Sequence, residues 1–225
     1  MINTQEWLDK KYPNKKRKNI KYLDIRQNKL EGELDLSDFV NLKILDCSSN
    51  DLVSLKLEKN SYLEKIICSK NELINLSLSD DNPNLTYLDC SQNNLSDINF
   101  ITVIKYPQNL IYLNLRDNCF TAGKLDIFSE FLQIEELYLG TTEFFQITFT
   151  QAYNQFYGSL KFLKELKRLR VLCINNTEVN QGWEYLPIDL KTLFIADTRE
   201  KITGEDLGIA EVLEEIAFYE DDFGK

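Results

Sequence analysis

Leu42-Lys43-Ile44-Leu45-Asp46-Cys47-Ser48-Ser49-Asn50-Asp51-Leu52 is followed by Leu63-Glu64-Lys65-Ile66-Ile67-Cys68-Ser69-Lys70-Asn71-Glu72-Leu73 and then by Leu85-Thr86-Tyr87-Leu88-Asp89-Cys90-Ser91-Gln92-Asn93-Asn94-Leu95. One pattern, L-x-x-L-x-L-x-x-N-x-L, runs through all three, with Ile or Cys admitted at the second and third apolar places. Self-similarity at a fixed period of about 20–30 residues marks a chain built from stacked units, each too small to bury its own apolar face. The fold therefore depends on neighbouring copies meeting in space.

Working outward, the same register begins at Ile20 and recurs at Leu110, Ile134, Leu169, Leu190 and Leu213, which makes eight to nine units. Starts are 21 to 25 residues apart, except for 35 between Ile134 and Leu169. The central L-x-L alternates with period two, so each copy should give a short strand with its apolar side chains inward and the intervening ones outward. Stacked copies then form a parallel sheet, and each chain return must follow the right-handed route of such crossovers. The Asn at the ninth place ends the strand, where its amide can both donate to and accept from backbone groups that lack sheet partners. Asn28, Asn50, Asn71, Asn93 and Asn118 occupy this place, followed by Thr142, Thr177 and Thr198.

This pattern resembles the leucine-rich repeat family, in particular its short subclass in which a second LxL follows the Asn-x-Leu. The pairs Leu34/Leu36, Leu55/Leu57, Leu76/Leu78 and Ile98/Phe100 occupy that second place and suit an extended return segment. The resemblance implies an α/β solenoid, a right-handed superhelix of horseshoe shape with a parallel concave sheet. Later returns change to helical spacing, with Leu125, Phe128, Phe131 and Leu132, then Leu160, Leu163 and Leu166 after Ser159 as a cap.

Three regions follow: 1–19 as a capping helix and basic loop, 20–219 as the solenoid, and 220–225 as an acidic tail. Thr4 to Tyr12 reads as a short amphipathic helix capped by Asn3 and stopped by Pro13, covering the open end of the first repeat. The run Lys15-Lys16-Arg17-Lys18 is expected to be a solvated loop. The stretch Phe144 to Gly158 lengthens its repeat and holds six aromatics, of which Tyr153, Phe156 and Tyr157 recur at helical spacing and predict a helix packed on the convex side. Charge is polarised: residues 1–30 hold nine Lys/Arg against three Asp/Glu, whereas 201–225 hold two against eight, within a formal net charge of −10.

The start lacks the pattern of a secretory signal, and no run approaches the ~18 apolar residues of a membrane span. A cytoplasmic chain is expected, with the basic run as the feature that would suit a nuclear address. Cys47, Cys68 and Cys90 share one inward place and read as free thiols acting as small apolar residues, not as metal ligands. The sequons at Asn75, Asn84, Asn94 and Asn175 read as by-products of an Asn-rich, Leu-rich repeat.

No histidine is present, which removes imidazole-based triads and the commonest zinc sites. No Gly-rich phosphate loop occurs, and no catalytic residue, cofactor or metal is predicted. Asp46 and Asp89 stand two strands apart, roughly 10 Å, a spacing that suits paired carboxylate chemistry but that any regular repeat produces.

The outward-facing strand positions remain. The third place holds Tyr22, Ile44, Lys65, Tyr87, Tyr112, Glu136, Val171 and Thr192, and the fifth holds Asp24, Asp46, Ile67, Asp89, Asn114, Tyr138, Cys173 and Phe194. Arg26 and Arg116 stand at the seventh. Amphipathic aromatics beside Asp, Asn and Arg are the composition of protein-binding surfaces. The predicted function is non-catalytic recognition of a protein or peptide on the concave face, through Tyr22, Asp24, Arg26, Asp46, Ile67, Tyr87, Asp89, Tyr112, Asn114, Arg116, Tyr138 and Phe194. Nucleic acid and membrane insertion are not expected, and the protein is expected to be a monomer or a weak dimer through the C-terminal edge strand. Two rivals exist. The acidic end is similar to that of acidic leucine-rich nuclear proteins that hold histones and other basic partners, or the chain is the sensing part of a larger receptor, adaptor or ubiquitin-ligase assembly.

Overall fold

The computed structural model describes residues 2–121, 123–142 and 153–195. In chain order its strands are β1 (Ile2–Asn3), β2 (Tyr22–Asp24), β3 (Leu30–Asp35), β4 (Ile44–Asp46), β5 (Asp51–Leu57), β6 (Lys65–Ile67) and β7 (Asn75–Leu78). They continue as β8 (Tyr87–Asp89), β9 (Tyr112–Asn114), β10 (Glu136–Tyr138), β11 (Tyr157–Ser159), β12 (Val171–Cys173), β13 (Glu178–Gln181) and β14 (Thr192–Phe194). The α-helices are α1 (Thr4–Lys11), α2 (Asn14–Arg17) and α3 (Asn99–Thr102).

One strand from each repeat enters an eight-stranded sheet in the order β2-β4-β6-β8-β9-β10-β12-β14. Every pairing is parallel and in step, so Leu23, Leu45, Ile66, Leu88, Leu113, Leu137, Leu172 and Leu193 stack in one column. None of the eight is more than 2% exposed. A three-residue strand suffices because only its middle side chain must point inward. The next inward place adds Ile25, Cys47, Cys68, Cys90, Leu115, Leu139 and Ile174, all buried. The three stacked thiols are free, and burial pushes each of them far above the ordinary cysteine range. They fill space and do not ionise. The ninth start, Leu213, and Thr198 lie outside the described residues.

The asparagine ladder ties the repeats together below the sheet. Asn50 donates to the carbonyls of Cys47 (2.9 Å) and Ile25 (3.0 Å) and accepts from the Asn28 and Leu30 amides. Asn71, Asn93 and Asn118 repeat the arrangement, each donating to its own repeat and to the one before. The residue before each of the first five rungs turns left-handed, as does Asn176 before Thr177: Gln27, Ser49, Lys70, Gln92, Asp117 and Asn176 have φ between 52° and 57°. The expectation that Thr142 is the next rung is corrected. Thr142 is exposed and bonds Asp117 instead. Asn154, fully buried, donates to Leu139 O (2.7 Å) and Leu115 O (2.9 Å) and accepts from the Phe120 amide (3.3 Å). The extra residues of the long repeat are inserted between strand and rung, so counting nine places from Ile134 stops short.

On the convex side the second LxL forms a smaller parallel sheet, in the order β1-β3-β5-β7, with Leu34, Leu36, Leu55, Leu57, Leu76 and Leu78 buried beneath it. The fourth repeat departs from this expectation. Its Ile98/Phe100 segment forms α3, because the Asp97 carboxylate accepts from the Asn99 amide (2.9 Å) and bends the chain. Burial then passes to Ile101 and Ile104, one helical turn apart, while Ile98 and Phe100 stay half-exposed. Later returns are 3-10 turns at Leu125–Phe128 and Leu160–Glu165, the second opened by Ser159 Oγ accepting from the Lys161 amide. Leu132 is left exposed.

The helix predicted around Tyr153, Phe156 and Tyr157 is likewise corrected, and 144–152 lie outside the described residues. Asn154 anchors the chain in the ladder, so the following residues run extended into β11, which pairs with β13. Phe156 alone of the three is fully buried, packed on Phe120 and Phe128 at 5.8 and 5.7 Å between ring centroids. Gly123 makes room for it, since a Cβ there would sit 2.7 Å from the Phe156 ring.

At the N-terminal end α1 puts Leu8 into the core, and the Thr4 hydroxyl donates to Glu31 O of β3 (2.6 Å). The side chain of Asn3 lies outside the description. The basic run is not a solvated loop throughout: residues Asn14–Arg17 form α2 and Arg17 is 2% exposed. Its guanidinium donates to Tyr12 O (2.8 Å), Asp38 (3.2 Å) and Asp9, and lies over the Phe39 ring. A buried Arg needs its donors satisfied by several acceptors at once, and the two carboxylates with the carbonyl supply them.

Candidate binding face

The sheet register brings the outward positions into two rows. Tyr22, Ile44, Lys65, Tyr87, Tyr112, Glu136, Val171 and Thr192 form one, and Asp24, Asp46, Ile67, Asp89, Asn114, Tyr138, Cys173 and Phe194 the other. At the centre the Tyr87 and Tyr112 rings stack at 4.1 Å with 3° between their planes. Lys65 Nζ sits 3.9 Å above the free face of Tyr87, and Tyr138 tilts against Tyr112 at 5.6 Å. A cation and three rings thus cross four strands on the face opposite the core. Such ring pairs contribute about 0.5–1.5 kcal/mol beyond simple burial, which holds the rings in place before any partner arrives.

The polar groups around this column are directed by their own bonds. The Tyr138 hydroxyl donates to Glu136 (2.8 Å), and the Asn114 amide donates to the Tyr112 oxygen (3.3 Å). Burial raises the phenol ionisation of Tyr87, Tyr112 and Tyr138, so all three remain neutral. The fifth-place residues also hold the strand-end turn. Asp24, Asp46, Asp89 and Asn114 each accept, through Oδ1, the amide of the residue two places on. Asp46 and Asp89 accept the following serine hydroxyl as well, at 2.6 and 2.7 Å. Burial pushes the Asp89 carboxyl above the ordinary carboxylate range, and the two Ser91 bonds oppose that only in part.

The predicted residues therefore fall into three places. Tyr87, Asp89, Tyr112, Asn114, Arg116 and Tyr138 meet at the centre, although Asn114 is buried and presents little of itself. Tyr22, Asp24, Arg26 and Asp46 form an end patch, in which Arg26 bridges Asp24 (3.0 Å) and Asp46 (3.6 Å) and Tyr22 is 68% exposed. Ile67 lies half-buried between the two groups, and Phe194, 40% exposed, stands two strands beyond Tyr138. Lys65 and Glu136 belong to the centre but are absent from the predicted set. Their place in the tyrosine row was visible in the register. Among the described residues no group of three or more His, Cys, Asp or Glu could hold a metal, and no helix is long and apolar enough to cross a membrane.

Comparison with known proteins agrees with the repeat fold. A Leucine Rich Repeat family model matches residues 84–103, the fourth copy. Human PH domain leucine-rich repeat-containing protein phosphatase 1 is 37% identical over 79 residues, which is 35% of this chain and 4% of that protein. Among solved structures, the functional domain of InlJ from Listeria monocytogenes, described as including a cysteine ladder, superposes with a TM-score of 0.63 at 21% identity. The match covers 86% of this chain and 39% of that one. A leucine-rich repeat protein of Leptospira interrogans gives 0.59 at 20% identity, covering 87% and 53%. The chain thus spans a small part of the phosphatase and less than two thirds of either solved relative.

Proposed function

We propose, on the premise that this chain is a leucine-rich repeat protein, that its parallel sheet is a recognition surface for another protein or peptide, centred on Tyr87, Asp89, Tyr112 and Tyr138. Members of this family are generally non-catalytic modules whose stacked repeats present extended binding surfaces. The observation that supports the centre is the ordered column from Lys65 through Tyr87 and Tyr112 to Tyr138. Three partly exposed rings, with no helix or loop among the described residues packed over them, contribute little to holding the core. Rigid aromatics supply contact area at low cost in side-chain entropy, and the row of Asp24, Asp46 and Asp89 beside them favours partners that bring N–H donors or cationic groups.

The test is a photo-crosslinking residue at Tyr22, on the rim, used to identify the bound polypeptide, followed by a titration of that polypeptide against wild type and the Tyr87→Ala/Tyr112→Ala double variant. Affinity is expected to fall at least a hundredfold while Tm moves only a few degrees. Unchanged affinity would place the binding surface elsewhere, and a collapse of Tm would make the rings structural.

A further inference from the structure

The convex sheet stops in mid-solenoid. In the order β1-β3-β5-β7 the last strand pairs with β5 on one side, and on its other side the fourth repeat has built α3 where a strand would follow. Leu36 N donates to Lys56 O (3.2 Å), so Lys56 serves β3, and in a parallel ladder its neighbours Leu55 and Leu57 serve β7. In the register of Leu55 with Leu76 and Leu57 with Leu78, the amides of Asn75 and Ser77 therefore face β5, whereas those of Leu76 and Leu78 face the open edge, and neither of the latter has a hydrogen-bond partner among the described residues. Beside this edge runs an open groove of about 310 Å³, lined by Ile74, Leu76, Leu78, Leu95, Phe100 and Val103. Ile74 and Val103, at 54% and 45%, are among the most exposed large apolar residues of the chain.

The charges around the groove have one sign. Asp97 lines it, and among the described residues its carboxylate oxygens accept from the backbone and side-chain amides of Asn99 (2.9 and 3.2 Å). Glu72 stands three residues before β7 and Asp80 two after it, both exposed and without a cationic partner in an ion pair among the described residues. No Lys or Arg lines the groove. Unpaired strand-edge groups admit an extended backbone, alternating side chains of such a backbone reach the apolar floor, and the acidic border selects against acidic sequences.

We propose that the outer edge of β7 is a β-augmentation site, taking a short extended segment of a partner protein with alternate apolar residues and flanking Lys or Arg. This site is on the opposite side of the solenoid from the tyrosine column and stands or falls without it.

The probe is the fluorescein-labelled peptide Lys-Val-Thr-Ile-Thr-Val-Lys, titrated against the intact chain by fluorescence anisotropy. Binding in the range of tens of micromolar is expected. It should weaken at least tenfold when alternate peptide amides are N-methylated, when the flanking lysines become glutamates, and in the protein variant Val103→Lys, which sets a cation and a longer side chain in the exposed lining of the groove. The Tyr87→Ala/Tyr112→Ala variant should bind as wild type. Absence of binding up to millimolar peptide, or binding indifferent to both N-methylation and Val103→Lys, overturns the proposal. So does sedimentation showing a dimer of the free chain that Val103→Lys dissociates, because the edge would then belong to a second copy.

Discussion

Replacing Asn154 by Ala should be among the most damaging single changes available in this chain, and replacing Thr142 should be nearly silent. Asn154 is fully buried, and its loss would leave Leu139 O and Phe120 N without partners, while Leu115 O keeps its bond from Asn118. Each buried backbone group left unpaired costs about 1–3 kcal/mol, so two give roughly 2–6 kcal/mol, before any allowance for water entering the gap. That is a large share of the roughly 5–15 kcal/mol by which a typical domain is stable. Asn154→Asp should be no better, since it keeps the acceptor but loses both donations and buries a charge. Thr142→Ala removes one exposed hydroxyl from Asp117, which retains the Thr142 amide and Arg116, and should cost under about 1 kcal/mol. Urea unfolding followed by circular dichroism decides between them through the midpoint at constant slope. Equal or reversed costs would refute the reassignment of the ladder.

Two further changes test neighbouring features. Asp89→Asn keeps the oxygen that accepts from Ser91 and copies Asn114 in the next repeat, but removes a carboxyl that burial has raised above its ordinary value. The folded state therefore binds this proton more tightly than the unfolded chain does, the charged form opposes folding at neutral pH, and the penalty lifts as pH falls through the raised value. The variant should thus be the more stable at pH 7, by about 1.4 kcal/mol for each unit of elevation. Its advantage should fade towards pH 4 in thermal melts, and an advantage that grows on acidification would contradict the assignment. Gly140→Ala would place a methyl group 2.6 Å from Asn175 O in the adjacent repeat, a contact between two backbones that cannot both yield. A loss of about 1–3 kcal/mol or more is expected, and an unchanged Tm would show that the two repeats can separate freely.

The register of the main sheet was legible from the residues because each strand needs only one inward leucine between two outward places, and a period of two leaves no freedom to slip. Tyr22 opposite Ile44 and Asp89 opposite Asn114 follow from alignment of the copies alone. What escaped has a common cause: each case depends on a contact distant in sequence or on competition at one position. Asn154 is displaced from its expected place by an insertion, and only the orphaned groups of Leu115, Phe120 and Leu139 mark it as a rung. Ile98 and Phe100 alternate like a strand, yet Asp97 bends the chain and the helical pair Ile101/Ile104 takes the burial. Arg17 sits in a run of four bases, and nothing local distinguishes it from Lys16 until Asp9 and Asp38 are brought to it.

The two rows of the sheet face are under different physical constraints, and this bears on how such a surface could change its partner. Asp24, Asp46, Asp89 and Asn114 each spend Oδ1 on the turn that ends their strand, and the three carboxylates also present a face to solvent. An apolar replacement there gives up that bond along with any contact to a ligand. The third-place residues Tyr22, Ile44, Lys65, Tyr87, Tyr112 and Glu136 donate and accept nothing in the turn; their backbone bonds are ones that any residue but proline supplies, and their side chains meet one another on the outer face, not in the core. A Tyr, a Lys, a Glu or an Ile is therefore equally compatible with the fold at those places, which is why their variety cannot be a demand of packing. If the tyrosine column reads a partner, specificity resides in the row that the fold leaves unconstrained, and the carboxylate row sets the sign of charge that all such partners must meet.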